Sequence, residues 1–491
     1  MLRKGLFKKE MDPDASDYTS SMEEDIRIFE AVVQINAAHV QMLEKCEIIE
    51  KSEKNKIIRA LSELYEKGVE ALDLRPELED IHMAVEEYVN KKAGKKVGGK
   101  LHTAKSRNDQ VSTAIRMALR EEVLELQEAL IELINELVVL ASKHKETIMP
   151  GYTHLQIAQP TTLAHYLNSY SQAFSRDLKR LNEDYGTINY CPLGACALAG
   201  TSFSIDRKLT SELLGFDGIV ENTIDAVGSR DFALQTMSSL AIMMSNLSRL
   251  AQEIILWSSA EFDTIEVPDE FASTSSIMPQ KKNPVVAEIA RAKASRSIGE
   301  LISGLNIMKS LPQSYSLDLQ ELTPSLWSAV DQSKTSLKVM KKFVGRIEAK
   351  PKRMRELAKK GFSTATELAD ALAKWAEVPF RESHEIVGRM ISQTLKNGKE
   401  LEDLSLEDLQ AASQDVIGKR IELSEKRFRE SLDLKSCIES KGKLGEPAPE
   451  SVKKELSKLE ELTKKYKKVL EKRKKILSEK SARLFESKEN K

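Results

Sequence analysis

The chain has 491 residues, with 75 lysines and arginines against 76 aspartates and glutamates. That balance provides no global basic field, which argues against nucleic-acid or anionic-membrane binding, so any attraction for an anionic ligand must be local. Hydrophobic residues make up 41%, enough for a sizeable core, and at about 150 residues per domain the length predicts about three domains. Four cysteines, Cys46, Cys191, Cys196 and Cys437, show neither CxxC spacing nor a His/Cys cluster. They read as buried thiols of a reducing compartment rather than a disulfide framework or a metal site.

Residues 1–20 are polar and are expected to form an arm. The N-terminal lysines are followed by no apolar stretch, so no signal peptide is expected, and no apolar run reaches membrane-spanning length; the expectation is a cytoplasmic protein. From Ser21 to Leu72 the apolar residues fall near helical spacing, with no Pro or Gly before Gly68, and predict continuous helix. Another helix is expected from Glu79, and Lys91–Leu101 reads as a loop. From Arg107 to Met149 there is no Gly or Pro, and Ile115, Leu119, Val123, Leu126, Leu130, Leu133 and Leu137 form one apolar face. Forty helical residues would span about 60 Å. No small domain can cover such a helix, so it must lie in a bundle, one shared between chains being the readiest cover.

Pro150–Pro160 breaks the pattern, a second long helix follows, and Cys191–Ile205 reads as a Gly/Ala/Ser loop. Helical patterns return at about 229–259, 284–310 and 320–347, giving five long helices and almost no strand signal. The expected fold is all-α, with domains at 1–106, 107–350 (a central five-helix bundle) and 351–491. The tail from Glu450 is Lys/Glu-rich with leucines at helical spacing, and reads as a packing or solvated surface helix.

Four polar segments interrupt these helices: Ser106-Arg107-Asn108, Thr153-His154, Ser275 through Asn283, and Tyr315 through Gln320. They offer hydroxyls, amides, cations and one imidazole, without a nucleotide loop or metal-ligand cluster. That set suits recognition of carboxylates together with proton transfer. Removing a proton α to a carboxylate creates a dianion, which fixed cations and amide donors stabilise. A serine is a poor base at its free pKa, but adjacent positive charge and hydrogen bonds favour its ionised form. His154 can donate to a leaving nitrogen at the other end of the reaction.

Ser275-Ser-Ile-Met-Pro-Gln-Lys-Lys-Asn-Pro284 resembles the signature loop of the fumarase/aspartase superfamily. Gly98-Gly-Lys-Leu-His-Thr, Ser106-Arg-Asn-Asp-Gln110 and Pro150-Gly-Tyr-Thr-His-Leu-Gln156 resemble the argininosuccinate lyase family in particular. Pro192-Leu-Gly, Ala197-Leu-Ala-Gly200, Ile205-Asp-Arg207 and Asp318-Leu-Gln320 extend the likeness, which covers about residues 20–450. The resemblance implies a three-domain fumarase/aspartase-like fold whose central helices build a tetrameric helical core. It implies a homotetramer with shared active sites and cofactor-free β-elimination of L-argininosuccinate to L-arginine and fumarate. By position it makes Ser275 and His154 the acid–base pair, Lys281 and Asn283 the carboxylate-stabilising pair, and Glu288 the partner of His154; the chemistry above favours Ser275 as base and His154 as acid over the reverse assignment. Ser21, Asn108, Thr153, Tyr315 and Gln320 match substrate-binding positions, and Ser106 and Arg107 share Asn108's segment.

The chain departs from the family pattern at four places. Thr274 replaces a glycine before the two serines, Ala104-Lys105 a Gly-Arg pair, Val285 an aspartate, and Thr323 a substrate-contacting lysine. Two alternatives stay open: another superfamily lyase acting on adenylosuccinate, aspartate or malate, and a non-catalytic crystallin-like protein.

Overall fold

The structure is a computed structural model that describes residues 11–486 apart from residue 399. Residues 1–10 of the expected arm lie outside the described residues. The rest of it is partly helical: α1 (Pro13–Thr19) starts at Asp12, whose carboxylate accepts from the Asp14 and Ala15 amides, with Pro13 in the first turn.

The helix expected from Ser21 to Leu72 is broken in two. Helices α2 (Phe29–Lys45) and α3 (Lys51–Lys67) are joined through Glu47 at φ 56°, and α3 begins with a capping box between Glu50 and Glu53. A non-glycine left-handed residue leaves no compositional mark, so periodicity runs across the turn. Helix α4 (Ile81–Ala93) starts at the N-cap Asp80. The stretch expected as a loop after it contains one helical turn, Lys95–Gly98, and a 3-10 turn, Gly99–His102.

The five long helices are present: α5 (Arg107–Lys143), α6 (Leu163–Ile188), α7 (Asp231–Ser258), α8 (Val285–Met308) and α9 (Asp318–Val344). The apolar face of α5 is buried from Ile115 to Leu137. Ser106 and Asp109 close a capping box at its start. Its end comes earlier than periodicity predicts, because the chain enters a hairpin, β1 (Ile148–Thr153) and β2 (Gln156–Thr162). Pro150 and Pro160 face each other in that ribbon, where neither can donate a ladder bond. Short two-residue pairings, each below the length at which alternation shows, join Ile265–Glu266 to Glu348–Ala349, and β3 (Ser273–Thr274) to β4 (Lys282–Asn283).

Cross-helix contacts set directions. Lys334 pairs with Glu122 (2.6 Å) and Lys341 with Glu132 (2.8 Å), so α5 and α9 run parallel. Ser328 Oγ donates to Glu300 (2.8 Å), and a Cβ on Gly304 would meet Leu322, so α8 runs antiparallel to α9. The bundle therefore has two ends. The starts of α5 and α9 lie at one, and the start of α8 at the other, about 36 Å away along its 24 residues.

Beyond the bundle, α10 (Ala365–Trp375), α11 (Phe380–Lys396), α12 (Leu406–Ile417) and α13 (Glu425–Leu432) enclose a separate apolar cluster including Leu368, Leu372, Ile386, Met390, Leu409 and Phe428. The tail helix α14 (Pro449–Leu484) then returns to the bundle, burying Leu456, Leu459 and Leu470 against the main core. Asn135 accepts from Thr463 (3.0 Å), and Asn182 from Arg473 (2.9 Å).

Candidate active site

At the end where α5 begins, several candidates converge. Ser21 Oγ donates to Asp25 Oδ2 (2.7 Å), and Arg107 Nε pairs with Asp80 Oδ2 (2.7 Å). Gln320 Nε2 donates to the Thr19 carbonyl (3.2 Å), joining the start of α9 to the chain before Ser21. Tyr315 completes this group. Gly228 packs against the backbone of Ser314, where an added Cβ would lie 2.6 Å from the Ser314 nitrogen. That close approach sets Tyr315 beside Arg230. Burial raises the Tyr315 phenol, with Arg230 opposing.

Burial also lifts Asp25 to about 6 and raises Asp80, with Ser21 and Arg107 respectively favouring the charged forms. Asp25, Asp80 and Arg230 were not singled out by sequence. Asp25 lies one helical turn after Ser21, a spacing that could have drawn notice. Below this group sits a buried polar floor. Lys105 Nζ donates to Asn36 Oδ1, and His39 Nε2 bonds the Thr103 carbonyl (2.7 Å). Burial pushes Lys105 down to about 7 and His39 to about 3. The α5 cap thus rests on α2 through residues 103–105, with Ala104 at φ 58°.

Ser106 caps α5, and Asn108 Nδ2 donates to the Ala197 carbonyl (3.0 Å). Asp109, also unmarked by sequence, is wholly buried, and its carboxylate accepts from the amides of Ser106, Gly194 and Cys196.

The other candidates lie at the opposite end. Thr153 and His154 are exposed at the hairpin tip, where His154 (φ 54°) and Leu155 (φ 57°) are the two turn residues. Two consecutive left-handed residues make the tight turn a twisted hairpin prefers, but that turn ordinarily takes Asn or Gly. A strained turn without either holds the imidazole out from the fold. The ring of Tyr152 lies 5.5 Å from that of Phe262, which places the hairpin beside 262–266.

The loop 275–281 stands on the β3–β4 pair at the same end. Ser275 Oγ accepts from the amides of Ile277 (3.3 Å) and Met278 (3.0 Å). Two N–H groups aimed at one hydroxyl oxygen stabilise it most when it carries negative charge. Lys282 is tied to Glu266 (2.9 Å) and Asp269 (2.6 Å), whereas no carboxylate among the described residues pairs with Lys281. Asn283 Nδ2 reaches Ser273 Oγ (3.5 Å), and Glu288 is exposed in the first turn of α8. Among the described residues no hydrogen bond or ion pair joins His154 to Glu288, or either to Ser275. Thr323 is buried in α9.

The candidates therefore form two groups a helix length apart. One presents hydroxyls, an amide and Arg107; the other presents a polarised serine, a lysine that no carboxylate among the described residues pairs with, an imidazole and a carboxylate.

Comparison with known proteins identifies the family. A family model described as lyase matches residues 5–299, and one described as argininosuccinate lyase C-terminal matches residues 362–439. The argininosuccinate lyase of Methanocaldococcus jannaschii is 45% identical over 468 residues, 95% of each chain. That of Methanococcus maripaludis is 41% identical over 100% of this chain and 99% of its own. A crystal structure of EDDS lyase in complex with formate superposes with a TM-score of 0.87 at 33% identity, covering 93% of this chain and 90% of that one. The class II fumarase of Schistosoma mansoni shares the fold alone, with a TM-score of 0.71 at 17% identity over 88% of this chain and 93% of its own. With its mostly helical fumarase/aspartase-type fold, this chain is a lyase and belongs to the argininosuccinate lyase family.

Proposed function

We propose that the protein cleaves L-argininosuccinate reversibly into L-arginine and fumarate. The observation that carries this reading is the similarity to curated argininosuccinate lyases along nearly the whole chain. In the proposed reaction the Ser275 oxyanion takes the proton from the carbon α to a substrate carboxylate. Lys281 and Asn283 stabilise the carboxylate as it becomes a dianion. The electron pair then expels the guanidino nitrogen, which His154, oriented by Glu288, protonates as the C–N bond breaks. Ser21, Ser106, Arg107, Asn108, Thr153, Tyr315 and Gln320 bind the substrate.

We further infer a homotetramer whose sites combine the two groups from different subunits, and a division of the chain at residues 106 and 350. The exposed apolar row Ile298, Ile302 and Leu305 along α8 supports helix-to-helix association through this face. Antiparallel packing there would bring the start of one α8 to the end that carries its neighbour's α5 and α9 starts.

Purified protein given argininosuccinate should raise the ultraviolet absorbance of fumarate, and Ser275→Ala should abolish that rise while retaining substrate binding. No fumarate between about pH 6 and 9, with turnover of adenylosuccinate, aspartate, malate or EDDS instead, would move the protein to another superfamily reaction. A folded protein inert on the whole panel would favour the crystallin-like reading.

A further inference from the structure

The loop from Pro192 to Gly200 holds no catalytic candidate, yet it is built around one carboxylate. Asp109 Oδ1 accepts from the Ser106 amide (3.0 Å) and so closes the α5 capping box. Its Oδ2 accepts from two amides of the remote loop, Gly194 (3.0 Å) and Cys196 (2.8 Å). The loop adopts an unusual path to aim both amides at one oxygen. Gly194 lies at φ 88°, where its missing Cβ would clash with the Arg207 stem at 2.6 Å, and Cys196 lies at φ 52°. The Cys196 thiol adds a bond to the Ala104 carbonyl (3.3 Å).

From the other side, Arg207 gathers the carbonyls of Leu193 (3.1 Å), Val220 (2.7 Å) and Glu221 (3.3 Å). The loop is held between an anion that collects its N–H groups and a cation that ties its Leu193 carbonyl to those of Val220 and Glu221 on the neighbouring segment. One consequence reaches the candidate group at the start of α5. The Ala197 carbonyl, one residue beyond the clasp, takes a hydrogen bond from Asn108 Nδ2. The same aspartate thus fixes both the helix turn that carries Asn108 and the loop that orients its amide.

We propose that Asp109 is a positioning residue for substrate binding: its carboxylate locks the 194–197 loop to the α5 cap and thereby sets the orientation of the Asn108 amide. This rests on the reading of Asn108 as a substrate contact in argininosuccinate cleavage. Asp109→Asn keeps the shape but turns an acceptor into a donor facing N–H groups. The expected result is a rise in KM for argininosuccinate of about tenfold or more with kcat within about threefold, because the reacting groups lie on other segments. Asn108→Ala should raise KM in the parent protein but add little in the Asp109→Asn background, a non-additivity that a merely structural aspartate would not produce. Amide hydrogen exchange should speed up at 194–197 while the interior of α5 stays protected.

If Asp109→Asn does not fold, Arg207→Lys loosens the same loop from its outer side and should raise KM in the same way. An unchanged KM in whichever variants fold, or fully additive effects of Asp109→Asn and Asn108→Ala, would overturn the proposal. The parent protein assayed alongside separates this outcome from failure of the reading beneath it. No turnover of argininosuccinate in the parent itself would overturn the activity, and this proposal with it.

Discussion

Two neighbouring lysines in one loop have opposite fates. Lys282 is spent on Glu266 and Asp269, which anchor the base of the β3–β4 pair, while Lys281, one residue earlier, meets no carboxylate among the described residues. Residue type alone made both lysines equal candidates for anion binding, and the position-by-position likeness chose Lys281; the ion pairs supply a physical reason for that choice. Other residues that matter were invisible in the sequence. Lys105 is an ordinary lysine by composition, and only its burial beside Asn36, His39 and the α5 cap makes it unusual. A lysine held at about 7 in the folded protein and near 10.4 when unfolded is neutral in one state and charged in the other across that window. Unfolding there takes up a proton, so this group's contribution to stability rises as pH rises from about 7. Urea unfolding of the parent and of Lys105→Met at pH 7 and pH 9 should therefore show their difference shifting toward the parent by ~1–2 kcal/mol. A difference independent of pH would mean that Lys105 stays charged in the fold.

At the scale of elements, legibility followed length. The five long helices could be read because each repeats its apolar face over many turns. Turns built from left-handed non-glycine residues could not be read: Glu47 divides an apparently continuous helix, and His154-Leu155 closes a hairpin where only a break was expected. The site segments were legible as polar interruptions of apolar patterns. Asp25, Asp80 and Asp109 were not, because their roles arise from contacts with residues distant in the chain, such as the Ile81 and Gly194 amides. The charged tail is an intermediate case. Its leucine spacing was plain in sequence, but which face it covers is a tertiary fact: α14 lies on α5 and α6 with Leu456 and Leu470 buried. Leu456→Ala and Leu470→Ala should each cost about 2–5 kcal/mol in denaturant unfolding, whereas Lys467→Ala on the exposed side should stay within about 0.5 kcal/mol. Equal, negligible effects at all three positions would mean that the tail helix contributes no packing.

At the scale of the whole molecule, the two groups of candidate residues stand far apart. Ser275, Lys281 and His154 stand at one end of the bundle, and Ser21, Arg107, Asn108 and Gln320 at the other. The 24 residues of α8 alone put about 36 Å between them, far beyond the reach of any loop rearrangement in a packed helical core. If both groups serve one substrate, different copies of the chain must supply them, and the exposed apolar row on α8 is the surface available for that pairing. This makes a prediction that no self-contained protomer would satisfy. Assayed at argininosuccinate well below KM, Ser275→Ala should be inactive and Asn108→Ala strongly impaired through its raised KM, since every site lacks one component. Co-refolding them in equal amounts lets each site draw its two halves at random. Each half is intact with probability one half, so about a quarter of the parent activity should return if assembly is unbiased. Ser275→Ala co-refolded with Lys281→Met is the control: both lesions lie in the same loop, every loop is defective, and nothing should return. Recovery in the first mixture but not in the second would establish shared sites, whereas no recovery in either would confine the active site to one chain and require another fold arrangement to unite its halves.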